Sequence, residues 1–329
     1  MEKVAVITGG NSGIGFALAQ RLLAEGVGEG ETVRVCLACR NVEKAEAARQ
    51  SLMTDNPGSE VDIVRVDVSS MASVKAACAE IERRYECVDW LFCNAGLMPV
   101  SGVNWRAFWP PTPSNLGYQL GTGGDLLPVT DWQTSDGLQQ VFSTNLFGHY
   151  LMVQELEGFL SAQTRDCHVI WTSSVTASRA TFDPTDIQGK NSADPYAHSK
   201  RAVDLVSREI NTRMNQKGIY SSTTCPGLVA TQLTYGIMPQ WFWSLILPLL
   251  LLLRICLPSM TMTATSGAEA LLWLARQQPS SVDHTHKYLS RASVSGHRYV
   301  DTEQIRGAEE LSAEVWKQLE TLSRTLSSS

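Results

Sequence analysis

Within its first fifteen residues the chain contains the pattern that most restricts its fold. An apolar run, Lys3–Thr8, predicts a β-strand, and the following stretch, Gly13–Glu25, predicts a helix. The two are joined by Thr8-Gly9-Gly10-Asn11-Ser12-Gly13-Ile14-Gly15. A glycine-rich string often merely reverses the chain, whereas one that lies between a strand and a helix is typical of a dinucleotide-binding turn. The position of this string therefore favours an α/β fold whose first turn binds phosphate.

The glycines of this turn have separate tasks. Gly9 permits the tight bend, Gly13 lets the backbone approach a pyrophosphate, and Gly15 lets the helix pack closely on the strand. The first N–H groups of the helix and the positive end of its dipole then face the phosphates. We expect the cofactor site to include seven residues of the turn: Thr8, Gly9, Asn11, Ser12, Gly13, Ile14 and Gly15.

Short apolar runs continue to alternate with helical stretches along the chain. Further strands are predicted at Thr32–Cys39, Val61–Val66, Trp90–Cys93, His168–Thr172 and Ser221–Thr224, with a last one beginning at Lys287-Tyr288. Further helices are predicted at Val42–Asp55, Met71–Arg84, Asp136–Phe159, Pro195–Gln216 and Ala264–Ala275. This alternation predicts βαβ units and a parallel sheet. We therefore expect one doubly wound, Rossmann-type α/β domain over residues 1–329, with insertions at 99–132 and 237–260.

Composition and charge give no reason to expect a nucleic acid or a metal ion. The net charge is −6, and no block of like charges occurs. Cys36 and Cys39 form a C-x-x-C string, but residues three apart on a strand face opposite sides, which argues against a shared zinc ion. The eight cysteines are scattered, as expected for reduced thiols in the cytosol. Because a strand begins at the N-terminus, we expect no signal peptide.

The end of the second strand indicates which nicotinamide cofactor would fit. NAD sites usually carry an acidic residue there for the ribose hydroxyl, but this chain has Arg40 and no carboxylate before Glu43. A guanidinium pairs bidentately with a 2′-phosphate, and Lys44 lies one helical step further on. We therefore expect NADPH/NADP⁺. The alternative is that Arg40 is a solvated side chain at a strand end.

Asp67 occupies the corresponding position after the third strand. Its carboxylate can accept a hydrogen bond from the adenine amino group, so we include it in the cofactor site. The alternative is an N-cap for the helix that begins near Met71, for which Ser69 and Ser70 are better placed.

The string Tyr196-Ala197-His198-Ser199-Lys200 opens a predicted helix and carries the candidate chemistry. Residues four apart share a helical face, so the phenol and the ammonium point the same way. A phenol has a pKa of about 10 in water, and a neighbouring cation would lower that pKa toward neutrality. Tyr-x-x-x-Lys alone occurs by chance in many proteins, but together with the glycine turn it indicates acid–base catalysis beside a dinucleotide.

With both motifs in place, the chain resembles the short-chain dehydrogenase/reductase family over nearly its whole length. The matching positions after the glycine turn are Asn94-Ala95-Gly96, Asn145, Ser174, Tyr196, Lys200, Pro226-Gly227 and Thr231. The resemblance implies an oxidoreductase that moves hydride between nicotinamide and a carbonyl or alcohol carbon. It also implies that Asn94, Ala95, Gly96, Pro226 and Gly227 belong to the cofactor site.

The resemblance further implies a role for each remaining residue. Tyr196 would donate its proton to the carbonyl oxygen, and Lys200 would lower the pKa of Tyr196 and bind the nicotinamide ribose. Ser174 would hydrogen-bond the developing alkoxide. Asn145 would hold a water that supplies protons through Lys200, and Thr231 would contact the carboxamide.

Two features depart from the family pattern. Ser173 and Ser174 are adjacent, and the stretch from Ser174 to Tyr196 is longer than usual. We choose Ser174 because the second serine is usually the catalytic one, and Ser173 remains the alternative. His198 is expected on the helix surface.

Three stretches resemble the branch of the family that reduces sterol and steroid ketones: Ile170–Ser174, Leu233–Pro239 and Leu249–Arg254. That resemblance implies reduction of the 3-ketone of a sterol in cholesterol synthesis and of the 17-ketone of estrone. A related branch that reduces retinal is one alternative. A non-catalytic NADP-binding scaffold or receptor partner is another, although the intact set of four catalytic positions argues against it. The family's usual assembly is a homodimer through its two long helices.

The second insertion raises the question of a membrane. Trp241–Leu253 is apolar for thirteen residues before Arg254, which is short of the roughly 20 residues that a span needs. A core helix seldom has five consecutive leucines and no polar face, and a span would divide the sheet between two compartments. We expect residues 237–260 to lie in the membrane interface, on the endoplasmic reticulum, with the catalytic domain facing the cytosol. A core helix and a single span are the alternatives.

Overall fold

The computed structural model describes residues 1–28, 30–102, 104–110, 112, 128–179, 182–229, 261, 263–293 and 295–327. Its sheet has the strand order β3-β2-β1-β4-β5-β6-β7-β8. The strands are β1 Glu2–Thr8, β2 Thr32–Cys39, β3 Val61–Arg65, β4 Trp90–Cys93, β5 Cys167–Thr172, β6 Ile219–Cys225, β7 His286–Ala292 and β8 Arg298–Gln304. Strands β1 to β7 pair in parallel, whereas β8 pairs antiparallel with β7. The predicted doubly wound parallel sheet is confirmed, and the antiparallel edge strand is an addition to it.

Helices cover both faces of this sheet. They are α1 Gly13–Glu25, α2 Val42–Asp55, α3 Met71–Arg84, α4 Gln140–Phe142, α5 Gly148–Ala162, α6 Pro195–Met214, α7 Ala264–Gly267, α8 Glu269–Ala275 and α9 Ala308–Ser327. The strand order reverses direction between β1 and β4, and ligands of such sheets bind in the crevice at that switch point, beyond the carboxyl ends of the strands.

Successive residues of the central strands face opposite layers, as the period of a strand requires. Val4 and Val6 belong to the hydrophobic cluster that includes residues of α3, α5 and α6, whereas Ala5 and Ile7 belong to the cluster that includes residues of α1, α2 and α8. Both faces are thus buried, which explains why the strands read as nearly continuous apolar runs.

The two cysteines of the C-x-x-C string follow the same alternation. Cys36 lies in the first of these clusters and Cys39 in the second. Burial raises the pKa of both thiols, to about 12 and about 11 respectively. Their opposite orientation on β2 is the one predicted from the spacing.

The expected helix Asp136–Phe159 begins later than predicted. Asp136 instead lies in a turn where Gly137 has a φ of 75°, and its carboxylate accepts a hydrogen bond from Met71 N–H at 2.8 Å. Helix α4 starts only at Gln140, and a π-helical turn, Ser143–Phe147, joins it to α5. Asp136 thus helps to cap α3 and does not begin a helix.

Two C-terminal elements were absent from the prediction. Strand β8 is mostly polar and exposed, so it carries little apolar signal. Helix α9 packs against α6, and its Trp316 ring meets the Tyr150 ring of α5 edge-on, with centroids 5.1 Å apart. Because α9 already packs against α6, the expected homodimer through α5 and α6 would need space for α9 at its interface.

The two insertions differ in how far they are described. Val100 and Val129 form an antiparallel bridge that joins the two ends of the first insertion. The second, residues 237–260, lies outside the described residues. Within the described ranges, none of the helices combines the length and the apolar character needed to cross a bilayer.

Candidate active site

The glycine turn forms a cradle at the carboxyl end of β1. Gly9 and Gly13 have φ values of 66° and 55°, in the left-handed region that favours glycine. A Cβ on Gly15 would lie 2.6 Å from both Gly9 O and Asn94 Nδ2, so the helix start could not approach this closely with a side chain. Ser12 is the N-cap of α1, and no described side chain caps this helix end by a hydrogen bond. Its first N–H groups therefore suit an anion.

Thr8 lies behind this cradle and holds it to β4. Its hydroxyl donates to Phe92 O at 3.0 Å and accepts from the N–H groups of Asn94 and Ala95 at 2.9 and 3.0 Å. Asn94 Nδ2 in turn donates to Thr8 O at 3.0 Å. Thr8 is fully buried, so it shapes the cofactor site through these bonds and does not line it.

A cavity of about 660 Å³ runs along the carboxyl ends of the strands. Most of the predicted cofactor residues line it: Gly9, Asn11, Ser12, Gly13, Ile14, Arg40, Asp67, Asn94, Ala95, Gly96, Pro226 and Gly227. Ser174, Tyr196 and Lys200 line it as well. Thr231 lies outside the described residues. The lining also includes an apolar wall, made of Leu97, Met98, Val129, Val175, Leu228 and Val229.

The strand-end residues meet at one end of the cavity. The Arg40 side chain is 74 % exposed, and its Nη1 lies 3.6 Å from Asp67 Oδ2. Lys44 also lines this end, in the first turn of α2. The opposite charges of Arg40 and Asp67 are thus neighbours, and most of the Arg40 side chain remains accessible to another partner.

Asp67 does not cap α3. Its Oδ1 accepts from the N–H and hydroxyl groups of Ser69, at 3.0 and 2.7 Å, while Ser70 caps the helix through the N–H of Ser73. The structure thus favours the cavity-lining position of Asp67 over the capping alternative.

At the other end, the start of α6 fixes the Tyr196 position. Asp194 caps this helix by accepting from Ala197 N–H at 2.9 Å, and Pro195 occupies the first turn, where its missing N–H costs nothing. Tyr196 and Lys200 then lie one turn apart, with Lys200 Nζ 5.8 Å from the centroid of the phenol ring. Lys200 Nζ donates to Thr172 O at the end of β5, at 2.7 Å.

Burial controls the protonation of both groups. The surrounding protein raises the pKa of Tyr196 to about 12, and the hydrogen bond with Ser174 only partly opposes this. Burial also lowers the pKa of Lys200 to about 8, against the attraction of Asp204. The pKa of Tyr196 therefore lies above that of a free phenol, and not below it as expected, because burial is the largest influence on it. At neutral pH the phenol is protonated and the lysine is charged.

The two adjacent serines point in different directions. Ser173 is almost fully buried, its N–H donates to Thr224 O at 2.7 Å, and its hydroxyl donates to Lys200 O at 3.4 Å. Ser174 Oγ hydrogen-bonds the Tyr196 phenol and accepts from Thr176 N–H and Oγ1–H at 3.2 and 3.0 Å. The geometry therefore places Ser174, and not Ser173, beside the tyrosine.

Asn145 lies behind the pocket in the π-helical turn. Its Oδ1 accepts from Leu97 N–H at 2.7 Å, and its Nδ2 donates to Leu97 O and to Ser199 Oγ, both at 3.0 Å. Both amide hydrogens are used, so the side chain ties the segment after β4 to α6. Single π-helical turns often occur at functional sites. The water-holding role remains a prediction.

His198 is not the surface residue that was expected. It is 2 % exposed, and its ring lies 4.6 Å from the Phe182 ring. A Cβ on Gly189 would come within 3.1 Å of it, so the segment after β5 packs closely over this histidine. Burial lowers the pKa of the imidazole, which leaves it neutral at pH 7.

Comparison with known proteins agrees with this architecture. Residues 3–240 match the family model described as short chain dehydrogenase. The chain is 43 % identical over 320 residues to a rat "3-keto-steroid reductase/17-beta-hydroxysteroid dehydrogenase 7", and the match covers 97 % of this chain and 95 % of the rat protein. It is 41 % identical to the human protein of the same name, over 97 % and 93 % of the two chains.

Among solved structures, an actinorhodin polyketide ketoreductase with NADPH is similar, with a TM-score of 0.59 and 22 % identity over 86 % of this chain and 94 % of that one. At this identity the likeness concerns the fold alone. The family model and the two relatives, together with the site geometry, show that the chain belongs to the short-chain dehydrogenase/reductase family.

Proposed function

We propose that the protein uses NADPH to reduce the ketone of a sterol or steroid. The observation that carries the proposal is that Tyr196 and Ser174 line the same cavity as the dinucleotide cradle and an apolar wall. Such a wall suits a flat hydrocarbon skeleton with one polar group. The names of the rat and human relatives point to the same substrate class, with the 3-ketone of a sterol and the 17-ketone of a steroid as the reacting groups.

The residues at the cradle fit NADPH. The glycine turn and the start of α1 would hold the pyrophosphate, since a helix start without a side-chain cap has free N–H donors. Arg40 and Lys44 would bind the 2′-phosphate, because both cations line that end and the guanidinium is mostly exposed. Asp67 would accept from the adenine amino group. NADPH supplies the hydride that reaches the carbonyl carbon of the substrate.

The protein side of the reaction is proton donation to the ketone oxygen. With its pKa raised to about 12, Tyr196 carries its proton at neutral pH and can donate it as the oxygen becomes an alkoxide. Ser174 Oγ already accepts from Thr176, so its own proton remains to be donated to the substrate oxygen or the phenol. Lys200, which is charged at neutral pH with a pKa of about 8, lies with its Nζ 5.8 Å from the centroid of the Tyr196 ring. The site is thus arranged for reduction, with the acid already protonated.

Association with a membrane is a further part of the proposal. Leu228 and Val229 line the pocket, and the apolar segment 237–260 begins eight residues after Val229 in the sequence. A monotopic anchor there would let a sterol enter from the bilayer of the endoplasmic reticulum. Charges at Leu249 and Leu251 should weaken membrane binding and should raise KM for a sterol more than for a small soluble ketone. Equal effects on both ketones would contradict the proposed entrance.

The proposed activity is tested by the consumption of NADPH with separate substrates. Purified protein is given a 3-keto sterol, estrone, retinal or no substrate, and the loss of nicotinamide absorbance is compared with the alcohol formed. We expect turnover with the sterol or steroid ketone and little with retinal. Preference for retinal would favour the related retinal-reducing branch. NADPH binding without turnover of any ketone would indicate a non-catalytic scaffold.

A further inference from the structure

A buried ion pair lies directly behind the catalytic residues. Lys287 Nζ on β7 is 2.6 Å from Asp204 Oδ2 on α6, and their side chains are 2 % and 1 % exposed. The same ammonium donates to Ser174 O at 3.2 Å. Lys287 therefore connects a carboxylate of the catalytic helix to the backbone of the serine that contacts Tyr196.

The helical spacing gives this connection its geometry. Tyr196, Lys200 and Asp204 are four residues apart on α6, so they follow one face of the helix. Tyr196 reaches Ser174 directly through its phenol, and Asp204 reaches Ser174 through Lys287. The serine is thus attached to the same helix at two points, two turns apart, and these contacts form a closed ring.

A buried ion pair of this kind usually adds little to the free energy of unfolding. Taking two charges out of water has a desolvation penalty that mutual attraction often does not recover, and apolar replacements of similar size are frequently neutral or stabilising. Asp204 Oδ1 also accepts no hydrogen bond from the described residues. Stability alone therefore gives little reason for a lysine and an aspartate here.

We propose that Asp204 and Lys287 are positioning residues for the reduction, and that their ion pair holds the backbone of Ser174 so that its hydroxyl stays aligned with Tyr196. Neither residue is in the predicted catalytic set, and neither lines the cavity, so they act through Ser174. The inference depends on the proposed function only in taking Ser174 and Tyr196 as the groups that meet the ketone oxygen.

The test compares a single and a double substitution. Lys287→Met leaves Asp204 buried without its partner and should destabilise the fold strongly. In D204L/K287M both charges are gone, so the melting temperature should return close to that of the wild type. We expect kcat of the double variant to stay about tenfold or more below wild type even at the pH where its own rate is highest, so that a changed pKa of Lys200 does not account for the loss. KM for NADPH should hardly change, since the cradle is untouched.

A matched control comes from another ion pair of low exposure. Arg21 Nη1 lies 2.7 Å from Glu269 Oε2, between α1 and α8, and neither residue lines the cavity. R21M/E269Q should lower stability and leave kcat near wild type. Rates are measured on whichever of the sterol, steroid or small cyclic ketones wild type reduces fastest. The substrate that wild type prefers then tests the proposed function. The ratio of kcat in the variant to kcat in wild type tests the positioning role of Asp204 and Lys287. If D204L/K287M recovers both stability and kcat, the pair is structural and the inference is overturned.

Discussion

The two ends of the cavity are built on different principles. The cradle end binds through backbone N–H groups and exposed cations: Gly15 has no room for a side chain, and the Arg40 side chain is 74 % exposed. The catalytic end uses buried charges, with Lys200, Asp204 and Lys287 all at most 3 % exposed. Water screens the first set, whereas in the second set burial lowers the pKa of Lys200. Changes at the cradle should therefore act on cofactor affinity and choice, and changes at the catalytic end on rate and pH dependence.

The largest effect should come from the catalytic end. Tyr196→Phe removes the proton donor and leaves the cradle, Arg40 and Lys200 in place, so kcat should fall by about a thousandfold. The dissociation constant for NADPH, measured by fluorescence titration, should remain near wild type. Retention of a tenth of the wild-type rate would show that another group donates the proton.

A smaller effect is expected at the cradle end. Arg40→Asp exchanges a partner of the 2′-phosphate for an acceptor of the ribose hydroxyl and adds repulsion to the phosphate. The ratio of kcat/KM for NADPH to that for NADH should fall by about tenfold or more, equivalent to about 1.4 kcal/mol. Arg49, which pairs with Glu46 further along α2, provides a control: R49D should leave the ratio unchanged. An unchanged ratio in R40D would mean that Arg40 contacts only solvent and Asp67, and not the 2′-phosphate.

The pH profile sharpens the comparison at the catalytic end. Lys200 is charged below its pKa of about 8, and Tyr196 is protonated below about 12. Both groups are in the required form at pH 7, and Lys200 is the first to lose its proton as the pH rises. The rate of reduction should therefore fall about tenfold between pH 7 and pH 9, as the charged fraction of the lysine does. A rate that stays flat up to pH 10 would show that the charge on Lys200 is not needed.

The sequence predicts the cradle well because its determinants are local. The glycine turn, the strand that precedes it and the helix that follows lie within the first 25 residues, and Tyr196 and Lys200 are related by one helical turn. Strand β8 was missed because a polar edge strand has no apolar periodicity. The late start of α4 was missed because the sequence does not show that Asp136 caps another helix. The apolar spacing of Leu311, Val315, Leu319 and Leu322 could have indicated α9.

What the sequence could not supply are contacts between distant segments. Lys287 reaches Asp204 across 83 positions and Ser174 across 113, and no local pattern distinguishes it from a lysine on an exposed strand. The burial of His198 likewise results from contacts with residues of another segment, Phe182 and Gly189. The pKa of Tyr196 is a further case, because its direction follows mainly from burial, which the local sequence does not show.

The most direct test of the division between the two ends is a single-turnover experiment. Wild type, R40D and Y196F are each mixed with saturating NADPH and a 3-keto sterol, and the first-order rate of NADPH oxidation is followed. Once cofactor is saturating, R40D should oxidise NADPH at nearly the wild-type rate, whereas Y196F should be about a thousandfold slower. If R40D slows this step as much as Y196F does, or if wild type consumes no NADPH, then the separation of binding and chemistry along the cavity is contradicted.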